Sequence, residues 1–431
     1  SFELCYTTLM SEPDGNLAKE LEEQLQNDLY TFVKKAGEAA QERQQRLYLV
    51  GGAVRDIFLE RCNLDIDLVV EGDAPALGKE IAKTLDASLL EHERFGTATL
   101  RWKNRTADIV TARAETYARP GALPTVRPGT LSDDLKRRDF TINAMAVELN
   151  PPHFGELIDP HHGLEDLNKG LIRILHNKSF IDDATRIWRA VRYEQRLDFD
   201  LEPATLTLLR QGLNYLDTIS GDRIRHELGH VLDEEYPEKF FKRAGALGIL
   251  GKISPSLRGD TWLVEMFESA EEKCMGDRPH PGMQLALLFY RLPHDELKKV
   301  ITFLNFSKVI THLLIDSSAI KAKETALSDP GLAPSQVYNL LNGYNLLALE
   351  ANALAMMSET AAEHIELYMN VLRHVNPALS GDDLFKLGVK AGPKVKEILQ
   401  KLREARLDGQ VTTKKQEENL VRELALKSTQ K

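Results

Sequence analysis

Cysteine, net positive charge and long apolar runs are all scarce in this chain. Cys5, Cys62 and Cys274 are the only cysteines among 431 residues, and none lies near another in sequence. That excludes a cysteine-type zinc motif and gives no sign of a disulfide framework, so a reduced compartment is the expectation. No stretch approaches the ~20 apolar residues that a membrane span requires. The opening residues, SFELCYTTLMSEPDG, lack the basic-then-apolar order of a secretory signal, and a cytoplasmic location is expected. The formal net charge is −10. That argues against a general affinity for nucleic acid but not against a local basic track, because phosphate contacts act within a Debye length of ~10 Å. Internal repeats and low-complexity tracts are missing too. With 42% hydrophobic and 28% charged residues, the composition is that of a soluble globular protein, and 431 residues suggest two to four domains.

The most informative stretch is YLVGGAVRDIFLERCNLDIDLVV, from Tyr48 to Val70. A short apolar strand breaks at Gly51-Gly52, continues as a helix and returns as an apolar strand carrying Asp65 and Asp67. Paired glycines after a strand let backbone N–H groups approach an anion, and the helix start with Arg55 close by adds positive charge, so phosphate is the expected guest. Residues two apart in a strand share a face, which sets Asp65 and Asp67 side by side. Two such carboxylates repel unless a hard cation lies between them, and Mg²⁺ with substrate phosphates suits that arrangement. A capping aspartate pair in a turn is the alternative, supported by Asn63. The apolar residues Leu64, Ile66, Leu68, Val69 and Val70 favour the strand.

In chain order, residues 16–45 carry apolar residues at helical spacing (Leu17, Leu21, Leu25, Leu29, Phe32, Val33) and are expected to form a helix on the sheet that follows. Residues 74–85 read as another helix. Residues 95–112 read as a hairpin turning at Asn104, with Thr97, Thr99 and Arg101 alternating with Ala98, Leu100 and Trp102. Its return strand carries Asp108, either an edge charge or a third carboxylate beside Asp65 and Asp67. From Arg113 to Asp134 the breakers Pro120, Gly121, Pro124, Pro128 and Gly129 indicate a long loop of the kind that usually has a function or is disordered. Arg137, Arg138 and Asp139 precede an apolar segment, and a turn-rich linker follows Pro151-Pro152.

Beyond residue 175 the pattern is helical. Asp183 and Arg186, three apart, are expected on one helix face, extended by Arg189, Arg192 and Arg196. That face is either solvated or bound to an anion. Breaks are expected near 251–259, 279–282, 328–334 and 374–382. Near the end, Lys386, Lys390, Lys394, Lys396, Lys401, Arg403, Arg406, Lys414 and Lys415 face only Glu397, Glu404 and Asp408 within 386–415. Gly392-Pro393 sets a proline at a helix start, so the segment is either a cradle for nucleic-acid phosphates or a solubilising face.

One motif points elsewhere. His226-Glu227-Leu228-Gly229-His230 fits H-E-x-x-H, in which two histidines one turn apart hold zinc and the glutamate activates water. A zinc metallopeptidase through His226, Glu227 and His230 is therefore the remote alternative. No H-x-x-G-x-x-H continuation follows, and only the acidic run Asp233, Glu234, Glu235 could supply a third ligand.

Four segments together resemble the class II tRNA nucleotidyltransferases, the family of CCA-adding enzymes and bacterial poly(A) polymerases: GGAVRD at Gly51–Asp56, DIDL at Asp65–Leu68, RRDFTINA at Arg137–Ala144 and DDATRIWRAVRY at Asp182–Tyr193. The resemblance is strong over Leu47 to about Arg196 and weaker over Gly381–Glu417. It implies an α+β protein in which a small α/β head like that of the DNA polymerase beta superfamily (1–157) precedes an all-α neck (158–240), body (241–375) and basic tail (376–431).

By that similarity Asp65, Asp67 and Asp108 would be catalytic and hold Mg²⁺. Gly51, Gly52 and Arg55 would meet the triphosphate, and Arg138, Asp139 and Asn143 the ribose and adjoining phosphate. Asp183 and Arg186 would read the base, supported by Arg189 and Arg192, while Lys390, Lys394, Lys396 and Lys401 would contact tRNA. CTP and ATP are the implied substrates and the tRNA 3′ end the acceptor; no membrane or protein partner is implied. The expected activity is template-independent CCA addition or repair, with addition of A alone, of CC alone, or of poly(A) as alternatives. The long loop at 113–134 weighs against the CC-only enzymes, which tend to shorten it. Asp182 stands where the family usually has Glu.

Overall fold

The computed structural model describes residues 15–61, 66–92 and 96–427. It separates into two compact units, Ser1–Ile219 and Ser220–Lys431. The division falls inside the segment 158–240 expected as the neck.

The first unit is built on a seven-stranded sheet. Its strands, in chain order, are β1 (Arg46–Val50), β2 (Ile66–Glu71), β3 (Ser88–His92), β4 (Thr97–Trp102) and β5 (Arg105–Thr111); β6 (Arg113–Thr116) and β7 (Thr125–Pro128) form a separate ribbon, and β8 (Ala146–Glu148) and β9 (Leu157–Ile158) complete the sheet in the order β3-β4-β5-β2-β1-β8-β9. Only β2 and β5 pair in parallel; the other neighbours are antiparallel. The central strands β1 and β2 are buried almost throughout, as their continuous Leu/Val runs require. The helices Asn27–Glu42 and Ala74–Leu85 pack on this sheet, and Phe32 of the first stacks on Trp102 of β4 with ring centroids 4.2 Å apart. On the face carrying Tyr48, Val50 and Val69, the short helix Leu131–Lys136 covers one end through Leu131 and Leu135. The rest of that face carries the chemistry.

Three local expectations change. The expected helix over 16–45 is two helices, Ala18–Gln24 and Asn27–Glu42, because Leu25 is extended with ψ 134°. Leu25 and Leu29 both remain in the core, so the apolar spacing runs unbroken across the interruption. The segment after Arg113 is not simply loop: β6 and β7 pair antiparallel, with Arg113 opposite Pro128 and Thr116 opposite Thr125. Pro128 sits at the end of an edge strand, where a missing N–H costs nothing to a ladder. Strand β3, an edge strand with alternating half-buried residues, was not expected at all.

The second unit contains only helices as regular structure among its described residues, from Gly221–Leu232 to Lys414–Lys427. Helices begin at Pro281, Pro334 and Gly381, within the expected breaks. Leu384, Ile398, Leu402 and Val421 form a small core of their own near the C-terminal end. The architecture is thus α+β, a mixed-sheet head followed by a helical region. No helix among the described residues is long and apolar enough to cross a membrane.

Candidate active site

Asp67 and Asp108 are direct cross-strand partners in the parallel β2–β5 pair, both exposed and both on the face that carries the helix Leu131–Lys136. Asp65 lies outside the described residues. Thr99, opposite Asp108 on β4, donates its hydroxyl to Asp108 Oδ1 at 2.6 Å and fixes that carboxylate. Oxygen ligands on adjacent strands, about 4.8 Å apart, are the donor set a hard cation takes, and the arrangement fits Mg²⁺.

Next to the carboxylates, β1 ends in the Gly51-Gly52 turn. Gly51 has φ +69° and ψ −130°, a conformation open essentially to glycine alone. A Cβ there would also lie 2.6 Å from Arg138 Nη1. Arg55 is only 2% exposed, and its guanidinium is committed behind the turn: it donates to both oxygens of Asp56 at 2.8 and 3.0 Å and to Asn143 Oδ1 at 2.7 Å. Its charge lies 5.3 Å from the ring centre of Tyr193.

Asn143 passes the connection on by donating to Asp139 Oδ1 at 3.1 Å, and Asp139 Oδ2 meets Arg189 at 2.6 Å. Burial works against the charged form of Asp139. Arg189, Asn143, Arg186 and the Phe140 N–H outweigh it and hold the carboxyl below the usual aspartate range. A second buried carboxylate, Asp134 at 0% exposure, accepts Arg137 through one oxygen at 2.6 and 2.9 Å and Arg138 through the other at 3.0 Å. Residues from Arg55 to Arg189, all in the first unit, are therefore linked by alternating charge.

The expected helix face of Asp183 and Arg186 takes another form. Asp183 is extended (φ −141°, ψ 98°), between the helices Ser179–Asp182 and Thr185–Leu197, so it does not share a helical face with Arg186. Its Oδ1 accepts from the Thr185 N–H at 3.0 Å and hydroxyl at 2.7 Å, which breaks the helix there. Arg186 is 5% exposed and donates to the Ser179 hydroxyl and to the Arg137 carbonyl, each at 2.6 Å. Arg189 and Arg192 follow on the same helix, Arg192 lying 5.1 Å from the Tyr193 ring centre.

The chain matches the family described as "Poly A polymerase head domain" over residues 47–173 and the one described as "Probable RNA and SrmB- binding site of polymerase A" over 198–259. It is 36% identical over 391 residues to the A-adding tRNA nucleotidyltransferase of Halalkalibacterium halodurans, covering 89% of this chain and 90% of that one. The chain belongs to the class II tRNA nucleotidyltransferases. Against the A-adding tRNA nucleotidyltransferase of Geobacter sulfurreducens it is 32% identical over 91% of its own length, but it spans about half (47%) of that relative. Among solved structures, the Thermotoga maritima CCA-adding enzyme complexed with tRNACCA matches with a TM-score of 0.75 and 30% identity, covering 94% of this chain and 98% of that one.

For a tRNA nucleotidyltransferase the H-E-x-x-H motif is incidental. His226 and His230 do face each other, Nε2 to Nε2 at 3.1 Å, on the helix Gly221–Leu232. Yet among the described residues no three His, Cys, Asp or Glu side chains come together to hold a metal, and the Asp67–Asp108 pair is short of Asp65 for the same count. Near the C-terminus, Lys390, Lys394, Lys396 and Lys401 are all exposed around and after the helix start at Pro393; Lys401 pairs with Glu397 at 2.7 Å, and Arg406 with buried Glu417 at 2.8 Å. Two residues near Asp183 and Arg186 carry little signal in the sequence pattern. Glu115 on β6 accepts Arg113 at 3.0 Å, Arg137 at 3.3 Å and the Tyr117 hydroxyl at 2.9 Å. Burial first, then Glu115, keeps that hydroxyl protonated well above the usual phenol range, while the charges of Arg186 and Asp183 also reach it. An acid and an aromatic inside a proline-flanked loop were the only signal.

Proposed function

We propose that this protein adds the terminal adenosine to the 3′ end of tRNA, using ATP and Mg²⁺ and no nucleic-acid template. The observation that carries the chemistry is the pairing of Asp67 with Asp108 on one sheet face beside the Gly51-Gly52 turn. Asp67 and Asp108, with Asp65, would hold Mg²⁺; when bound, the ion neutralises phosphate charge and makes the attacking hydroxyl more acidic. The tRNA 3′ oxygen attacks the α-phosphorus, its proton leaves, and the bond to the β-phosphate oxygen breaks to release pyrophosphate.

Other residues hold the nucleotide. The Gly51-Gly52 turn lets backbone approach the triphosphate, and Arg138 stands beside it. Arg55, buried against Asp56 and Asn143, acts from behind as a positioning residue. Asp183 would accept from the exocyclic amine of the base and Arg186 would donate to the ring nitrogen next to it, a pattern that A and C share and that G and U invert. The bonds from Arg186 to Ser179 and Arg137 hold the guanidinium plane before the base arrives.

Adenosine is favoured over full CCA by the relatives that add A, at 36% and 32% identity. CCA addition is the second reading, favoured by the likeness to the Thermotoga maritima CCA-adding enzyme over nearly the whole chain. Transcripts ending at the discriminator base, at C and at CC, each incubated with CTP, ATP or both, separate the two. Extension of only the CC-ended transcript, by one A, is the expected result. Growth of all three to CCA would replace it with the second reading, and extension of none would remove both.

A further inference from the structure

One face of the helix Thr185–Leu197 carries Arg186, Arg189 and Tyr193, spaced three and then four apart. All three reach the segment that follows the helix Leu131–Lys136. Arg186 donates to the Arg137 carbonyl, Arg189 meets Asp139 Oδ2, and the Tyr193 ring stands edge-on to that of buried Phe140, with centres 5.7 Å apart and planes at 79°. The two arginines act there through charge and hydrogen bonds. Tyr193 acts through its ring.

That half-buried ring has a further partner on another element. Arg55, 2% exposed on the helix Gly52–Phe58, sets its guanidinium 5.3 Å from the ring centre, and Arg192 lies 5.1 Å from it. A cation near an aromatic face is attracted by the ring quadrupole, and more strongly where water is excluded, as it is around Arg55. The contact closes a circuit inside the first unit. From Tyr193 it passes to Arg55, from Arg55 to Asn143 at 2.7 Å, from Asn143 to Asp139 at 3.1 Å, and through Arg189 back to the helix. Arg55 also touches the glycine turn, since a Cβ on Gly52 would lie 3.5 Å from its Nη2. The circuit therefore ties the Gly51-Gly52 turn to the helix that bears Arg186.

We propose that Tyr193 is a positioning residue for nucleotide selection, whose ring fixes the register between the Gly51-Gly52 turn and Arg186. The proposal rests on the nucleotidyl transfer argued above and adds to it a residue that touches no substrate. A correct nucleotide must place its phosphates at the turn and its base at Asp183 and Arg186 together. With the register held, adenine gains both sets of contacts. If the helix can shift against the turn, ATP loses part of them, whereas a base that Asp183 and Arg186 reject has little to lose. Selection is a difference between two affinities, so it falls even though each half of the site stays intact.

The test uses the full chain, a CC-ended tRNA transcript, ATP as the correct nucleotide and GTP as the wrong one. Tyr193→Leu removes the ring and keeps apolar bulk; Tyr193→Met is a second ring-less variant, so a folding failure of one leaves the comparison in place. Either is expected to lower kcat/KM for ATP about tenfold, leave that for GTP unchanged, and so cut the ATP:GTP ratio by the same factor. Tripolyphosphate, which occupies the turn without a base, should inhibit wild type and variants with the same Ki. Tyr193→Phe, which keeps the ring, should restore the wild-type ratio. Equal losses with ATP and GTP would reduce Tyr193 to packing and overturn the proposal. A tripolyphosphate Ki that rises with the KM for ATP would also overturn it, by confining Tyr193 to the phosphate site, and so would a Phe variant that behaves like Leu. In each of these cases the wild type still extends the transcript and the reaction stands; a wild type that extends no tRNA would remove the reaction and the role of Tyr193 together.

Discussion

Asp108 and Asp139 are both carboxylates near the proposed chemistry, but their surroundings assign them opposite tasks. Asp108 is exposed and oriented by Thr99, as a metal ligand should be. Replacing Asp67 or Asp108 by Asn should lower the rate of A addition by on the order of 10²–10³ while tRNA binding, followed by fluorescence anisotropy, stays within a factor of two or so. Thr99→Val should leave kcat at saturating Mg²⁺ and raise the Mg²⁺ needed for half-maximal rate by about tenfold, the usual effect of losing a bond to a metal ligand. Asp139 is buried and paired, so its charge belongs to stability. Its folded pKa is depressed, mainly by Arg189 against the opposing effect of burial. The stabilisation is therefore complete above the unfolded aspartate value of about 4 and disappears as pH falls through the folded value. Arg189→Met should lower stability at pH 7 by removing the ion pair of a buried carboxylate, which keeps only its bonds from Asn143 and the Phe140 N–H and the charge of Arg186. The melting-temperature gap from the wild type should narrow below pH 4; a gap independent of pH would show that the pair is not what Arg189 contributes.

The short helix Leu131–Lys136 connects the sheet to the arginines of the site. Thr130 and Asp133 close a capping box at its start, at 3.3 and 3.0 Å, and its buried Asp134 orients Arg137 and Arg138. Thr130→Ala should cost about 1 kcal/mol and raise the KM for ATP through Arg138; unchanged kinetics with a lowered melting temperature would confine the cap to stability. The sequence announces some of these elements and conceals others for physical reasons. Alternation in 95–112 was sufficient to set the hairpin, because a strand buried on one face has its register fixed by that pattern, but it left Asp108 either at an edge or beside a second carboxylate strand, and only the pairing of β5 with β2 decides between them. The β6–β7 ribbon was hidden because proline and exposure removed both strand signals from Thr125–Pro128. The helix break at Asp183 was hidden because an Asp three residues before an Arg fits a helix equally well. Arg186's acceptor was beyond reach of any local pattern, since the Arg137 carbonyl comes from 49 residues away.

Across the whole molecule, a net charge of −10 must be reconciled with an RNA substrate. Binding then depends on a few local cations, and each phosphate contact contributes about 0.7–0.9 to the slope of log affinity against log salt. The C-terminal lysines are not equivalent in this respect. Lys396 lies exposed beside the helix start and is expected to contribute nearly a full contact. Lys401 already pairs with Glu397 at 2.7 Å one turn away. An exposed pair of that kind adds little to stability, yet the neighbouring carboxylate repels the phosphate that Lys401 would otherwise attract. Lys396→Ala should therefore flatten the salt slope for tRNA by about 0.7–0.9, and Lys401→Ala by clearly less. Glu397→Gln should steepen it by freeing Lys401. Anisotropy titrations of the full chain with labelled tRNA at a series of KCl concentrations measure all three, and equal flattening by both lysine variants with no effect of Glu397→Gln would mean that composition alone, rather than pairing on the helix, sets the affinity.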